Sequence, residues 1–139
     1  MHLLLGLGGN HGDVAAAFAR AVSALGSEHL LVASSRLWRS AAIGPPQPDY
    51  LNAAVLLELR GAPQALLRRC HELEHAAGRD RAREGRWGSR PLDLDLLIAP
   101  GLVVQSPELV LPHPPRPERR VALLPAGGLA PEGAPPPQR

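Results

Sequence analysis

Five consecutive residues restrict the folds open to this chain: Leu92, Asp93, Leu94, Asp95 and Leu96 alternate apolar and acidic without a break. A period of two is the signature of a strand with two unlike faces. The leucines line a core face and both carboxylates share the other. At a rise of roughly 3.3 Å per residue, the two aspartate Cα atoms stand about 7 Å apart. Asp is depleted in strands because its short side chain competes for backbone hydrogen bonds. Two like charges on one face also destabilise each other unless cations neutralise them. Such a strand needs an apolar layer on one side and cationic chemistry on the other.

Candidate cations stand immediately upstream. Arg79, Arg81, Arg83, Arg86 and Arg90 are interrupted only by Asp80 and Glu84 among the charged residues of that segment. Standing alone, a charge run of this kind is a solvated loop. Leading into paired carboxylates, it completes a set: the aspartates hold Mg²⁺ together with phosphate oxygens, and the guanidiniums meet the remaining phosphate charge. On this reading a metal–phosphate substrate neutralises the carboxylate pair. The chain has no lysine, and all 15 basic residues are arginine. Phosphate recognition must therefore use guanidinium forks or backbone amides. A net charge of only +2 creates no global field that implies nucleic acid or a membrane.

The rest of the chain divides by period and punctuation. "HLLLGLGGN" reads as a short buried strand ending in a glycine turn. Asp13 is placed as the N-cap or a first-turn acid of a helix whose face is Val14, Phe18, Val22 and Leu25. "EHLLVASSRLWRS" is strand-like, the proline-rich "AAIGPPQPD" is a loop, and "YLNAAVLLELR" is a strand. Pro63 opens a second helix, which Gly78 ends, with Leu66, Cys70 and Leu73 as its stripe. "GLVVQS" is placed as a hairpin partner of "PLDLDLLI", and one more short strand falls near Val121 to Leu124. This order predicts an α+β sandwich: an antiparallel sheet of about four to six strands with helices packed against it. The 139 residues form a single domain, 1–139, with 132–139 as a frayed tail. A single cysteine excludes an internal disulfide framework and fits a reducing, cytoplasmic setting. The "LLLGLGG" run is too short for a signal peptide or a membrane span.

Other motifs compete for function. "GLGGNHGD" departs from the dinucleotide fingerprint, since His11 stands where the last glycine belongs, and a P-loop would need a lysine. A tight turn is the plainer reading. His71-Glu72-x-x-His75 matches the zinc-protease pattern, but the third ligand position is Arg81, which stays protonated. A zinc hydrolase remains one alternative. Tyr50 and Asn52 share a strand face beside the proline loop, and Trp87 lies in the arginine loop. Rings beside an amide suit a flat, hydrogen-bonding heterocycle.

Taken together, "QPDYLNAAV", "ELEHAAGRDRAREGRWGSRPLDLDLL" and "LPHPPRPERRVALLP" resemble the 6-hydroxymethyl-7,8-dihydropterin pyrophosphokinases of folate biosynthesis. The resemblance implies a ferredoxin-like fold with mobile active-site loops. It also implies transfer of pyrophosphate from ATP to the pterin hydroxymethyl group, with release of AMP. It assigns two Mg²⁺ ions to Asp93 and Asp95, with Asp95 also helping to deprotonate the attacking hydroxyl. Phosphates would meet Arg81, Arg86 and Arg90. ATP contacts fall on His71, Glu74, Leu96, His113 and Arg119 as well. The pterin site would comprise Ser40, Ala41, Ile43, Tyr50, Asn52, Trp87, Asp93 and Val121. Val121 stands where relatives carry an aromatic that stacks on the pterin. The partners implied are ATP and the pterin, with no nucleic acid and no membrane, and the chain acting as a monomer. Because ferredoxin-like folds also serve RNA-binding modules, a nucleic-acid-binding module is the other alternative.

Overall fold

The computed structural model describes residues 1–42, 44–79 and 90–114. The elements run β1 (His2–Gly9), α1 (Val14–Glu28), β2 (Leu30–Ser34), β3 (Trp38–Ser40), β4 (Tyr50–Glu58), α2 (Pro63–Ala76), β5 (Asp93–Ile98), β6 (Val104–Gln105) and β7 (Val110–Leu111). The main sheet has the order β2-β4-β1-β5, with β3 also pairing with β4, and each pairing is antiparallel. With β2 and β3 counted as one interrupted strand beside β4, β1 lies between the third and fourth strands of the main sheet, the ferredoxin-like arrangement. The expected α+β architecture is what the chain adopts.

Both helices bury their stripes against one sheet face. In α1, Val14, Ala17, Phe18, Ala21 and Leu25 recur at helical spacing and are buried, while Val22 is only partly so. The Asp13 carboxylate accepts from Ala16 N at 3.1 Å and caps the first turn. In α2 the buried stripe is Leu66, Cys70 and Glu74, and Leu73 is only partly buried. A carboxylate thus continues an apolar row, and the site below accounts for it. Opposite the helices stand Leu3, Leu5 and Leu7 of β1, Ala53, Val55 and Leu57 of β4, and Leu94 and Leu96 of β5. The alternate residues face away from the helices, where Leu4, Trp38, Ala54 and Leu97 make a second, smaller cluster.

Three expectations need correction. Gly6, Gly8 and Gly9 lie inside β1, which continues through Gly9. They are strand residues, and the turn begins only after Asn10. A Cβ on Gly9 would sit 2.8 Å from the Pro91 carbonyl oxygen, so close approach of two backbones explains one of these glycines. Second, "EHLLVASSRLWRS" is two short strands that serve successive parts of the long β4. Ser35 bridges the gap: its N–H donates to Ala54 O and its hydroxyl accepts from Ala54 N, each at 2.8 Å. Third, β6 pairs with β7, in a separate two-stranded sheet, and not with β5. The strand placed near Val121 and the tail at 132–139 lie outside the described residues.

Candidate active site

Strand register brings the site together. Gly8 pairs with Asn52 on one side and with Asp93 on the other. Gly6 likewise pairs with Ala54 and Asp95. Trp38 pairs with Asn52 and Ser40 with Tyr50. Directly paired residues share a sheet face, so Trp38, Asn52, Gly8 and Asp93 form one row across the helix-free face. At strand spacings of about 4.8 Å, Asn52 and Asp93 are roughly 10 Å apart. The glycines keep the stretch between them free of side chains, a feature the turn reading of "GLGG" had missed.

At one end of the row stands an amide cluster. Asn52 is fully buried, and its Nδ2 donates to Ser40 Oγ at 2.9 Å, Trp38 O at 3.2 Å and Tyr50 O at 3.4 Å. Two of these partners are carbonyls, which only accept, so the orientation of the amide is fixed. Its Oδ1 is then a buried acceptor with no donor among the described residues, and Trp38 Nε1 is a buried donor with no acceptor there. Tyr50 and Ser40 are buried beside them. Ala41 is exposed just beyond β3.

At the other end is a network of buried charges. Asp93 accepts from Arg79 Nη1 at 2.9 Å on Oδ1 and from Arg90 Nη1 at 3.2 Å on Oδ2. Two guanidiniums thus lie against Asp93 within hydrogen-bonding distance. Arg79 Nη1 also donates to Glu74 Oε2 at 3.0 Å, and the same oxygen accepts from Leu94 N at 2.7 Å. Among the described residues β5 is the edge strand, so Glu74 takes an amide that no described strand pairs. This explains a carboxylate in the α2 stripe. Arg79 reaches its position through the helix end. Gly78 has φ +97°, its N–H donates to His75 O, and Arg79 N–H donates to Glu74 O. These are the two bonds of a Schellman cap, and they turn Arg79 back beside Glu74.

Asp95 lies on the same face as Asp93 and lines a cleft of about 260 Å³ with His71, Leu96, Glu108, Val110 and His113. His113 Nδ1 lies 2.6 Å from Pro114 O. That carbonyl only accepts, so Nδ1 carries a proton, and Nε2 lies 3.6 Å from Asp95 Oδ1. Burial pushes the Cys70 thiol, under the helix layer, far above its ordinary value.

The described residues thus place Asp93, Asp95, Arg90, Glu74, His71, Leu96 and His113 around the end of β5, and Ser40, Tyr50 and Asn52 around the end of β4. Ile43, Arg81, Arg86, Trp87, Arg119 and Val121 lie outside the described residues. Sequence reasoning passed over two residues. Arg79 was one member of a charge run, and only its place just beyond the helix-ending glycine, five residues after Glu74, marks it. Asn10 was read as part of a turn. Its Oδ1 accepts from Arg90 N at 2.8 Å, and its Nδ2 donates to Gln47 Oε1 at 2.8 Å and Pro48 O at 2.9 Å. It ties the entry to β5 to the loop that precedes Tyr50.

Two carboxylates and converging arginines on one sheet face, across from an amide cluster, define a site for phosphate chemistry on a small polar molecule. The chain belongs to the 7,8-dihydro-6-hydroxymethylpterin-pyrophosphokinase family, whose model it matches over residues 4–131. Among its relatives are three proteins named 2-amino-4-hydroxy-6-hydroxymethyldihydropteridine pyrophosphokinase. That of Methylorubrum extorquens is 41% identical over 92% of this chain and 82% of its own length. That of Synechocystis is 37% identical over 93% of this chain and 66% of its own. That of Haemophilus influenzae is 37% identical over 80% and 68%. Neither alternative class is supported. On the helix read as a zinc motif, Glu72 is paired with Arg69, and no group of three or more His, Cys, Asp or Glu side chains suited to a metal ion occurs among the described residues. Nor does family membership support a nucleic-acid-binding module. No helix among the described residues is long and apolar enough to cross a membrane.

Proposed function

We infer that this chain transfers pyrophosphate from ATP to the hydroxymethyl group of 6-hydroxymethyl-7,8-dihydropterin, giving AMP and the pterin diphosphate. The observation that carries this reading is the row Asn52–Gly8–Asp93 across one sheet face. The amide end offers an unmet acceptor, Asn52 Oδ1, and an unmet donor, Trp38 Nε1. A pterin ring has N–H groups for the first and ring acceptors for the second. The glycine floor lets a flat ring lie close to the backbone, with its hydroxymethyl group toward the carboxylates.

Asp93 and Asp95 are hard oxygen donors too few to cage an ion alone. That suits Mg²⁺, which keeps water and substrate phosphate in its shell. Two such ions at these aspartates would draw charge from the phosphates. Arg90 and Arg79 add fixed positive charge at Asp93. The pterin hydroxyl oxygen forms its bond to the β-phosphorus, and the bridge from that phosphorus to the α-phosphate breaks, releasing AMP. Asp95 takes up the hydroxyl proton. His71, Leu96 and His113 border the cleft that receives ATP, and Glu74 acts there through Arg79. Arg81, Arg86, Arg119, Ile43, Trp87 and Val121 complete the site in this reading. The single domain acts as a monomer in the cytoplasm, which the lone, buried Cys70 thiol suits. The test incubates the protein with Mg-ATP and the reduced hydroxymethyl pterin. AMP and pterin diphosphate should appear in equal amounts. ADP with a pterin monophosphate would overturn the reading.

A further inference from the structure

We propose that the cleft between the end of α1 and the start of α2 is a second binding site, separate from the one on the sheet, and that it takes a phosphate dianion, free or as a monoester. The cleft measures about 360 Å³ and is walled by residues of both helices and of the turn after β4. It therefore opens on the helix layer, whereas Asp93 and Asp95 alternate with the leucines that face the helices and so point to the other side of the sheet. One wall is the α2 face that carries Ala65, Arg68, Arg69 and Glu72 at helical spacing. The opposite wall holds Glu28 and His29, at the end of α1, and Arg60. Gly61, at φ +115°, sets the turn that leads from Arg60 into α2.

The two acids of the cleft are already met. Arg69 Nε lies 3.1 and 3.0 Å from the two Glu28 oxygens, and its Nη1 lies 3.2 Å from Glu72 Oε1. The guanidiniums of Arg60 and Arg68 line the same cleft and have no ion pair or side-chain hydrogen bond among the described residues. His29 adds a donor. Its Nδ1 accepts from Arg60 N at 3.0 Å, so the proton of the neutral ring is on Nε2. The start of α2 adds positive potential, because its N-cap is Ala62, with no side-chain bond, and its first turn holds no acid. A carboxylate, with two oxygens and one charge, fits a single guanidinium fork. A phosphate dianion offers three oxygens and two charges, and suits two guanidiniums that converge from different segments with a ring N–H beside them. A concave site of this size admits a small molecule.

The experiment titrates inorganic phosphate into the full, isotope-labelled chain and follows the backbone amides by nuclear magnetic resonance, with sodium chloride at matched ionic strength as the control. The amides of His29, Arg60 and Ala65 should shift saturably, with a Kd on the order of 1 mM, and chloride should not reproduce the shifts. Arg60→Gln/Arg68→Gln should weaken this binding at least tenfold. Both side chains are exposed, so the thermal midpoint should hold within a few degrees, and AMP formation should stay within twofold because neither residue belongs to the site on the sheet. Should the double variant fail to fold, Arg68→Gln alone should weaken binding at least threefold. Glycerol 3-phosphate separates the two sources: tighter binding than inorganic phosphate assigns the cleft to a monoester, and equal or weaker binding assigns it to the free ion. The proposal is overturned if these amides show no saturable shift up to roughly 50 mM phosphate, if chloride matches the shifts, or if the Kd is the same after the arginines are replaced.

Discussion

Asn10→Ala tests how the two ends of the site are joined. The Asn10 amide makes three hydrogen bonds between 2.8 and 2.9 Å, to Arg90 N, Gln47 and Pro48 O. Truncation strands the Arg90 N–H in a buried setting, which costs about 1–3 kcal/mol. Pro48 is exposed and Gln47 half-buried, so water replaces their partner and each loses at most about 1 kcal/mol. The sum is about 1–5 kcal/mol, a large share of a typical stability of roughly 5–15 kcal/mol. In urea, with a slope of about 2 kcal/mol per molar for a protein of this size, the midpoint should fall by roughly 0.5–2.5 M while the slope is unchanged. Hydrogen exchange supplies a local readout: the Arg90 amide, protected in the wild type, should exchange faster in the variant. A midpoint shift below about 0.3 M, or an Arg90 amide that exchanges as before, would show that the Asn10 bonds do not hold the site together.

Asp95→Asn keeps the shape of a buried side chain but removes the charge that its proposed roles as metal ligand and proton acceptor require. It should lower kcat by several orders of magnitude with the melting temperature held within a few degrees, and unchanged turnover would sink the assigned role. Asn52→Ala should raise KM for the pterin at least tenfold while leaving the Kd for an ATP analogue within about twofold, read by titration. Cys70 should resist thiol reagents in the folded protein and react on unfolding, because burial holds its thiol protonated. Rapid labelling under native conditions would contradict its place in the core. Gly78→Ala meets no atom within 4 Å, yet should cost about 1 kcal/mol because φ is positive there, measured as a drop in thermal midpoint.

The parts of this structure written in strong periods were legible in the sequence. Leu92 to Leu96 alternate so strictly that the two faces of β5 could be assigned, and the structure keeps the leucines under the helices and the aspartates on the opposite side. The Tyr50 and Asn52 face was readable for the same reason. What failed lacks a period or goes against propensity. Strands of two residues, as in β6 and β7, are too short to show alternation. The glycines of β1 read as a turn because glycine weakens strands, and only the tertiary approach of Pro91 to Gly9 and the bare floor under the row give them a purpose. Glu74 was assigned to ATP by resemblance alone, since nothing local reveals that an arginine five residues on and an amide on another strand await it. Asn10 and Arg79 act between segments far apart in sequence, which no window of neighbouring residues displays.

Asn52 sets foldability against use. Its Oδ1 is sealed from solvent with no donor among the described residues, so the free chain carries a penalty that an apolar side chain of similar size would relieve. If Asn52 holds the pterin as proposed, selection for soluble expression alone would favour Leu or Ile at position 52, and the winners of such a screen would be sturdier at the cost of their substrate.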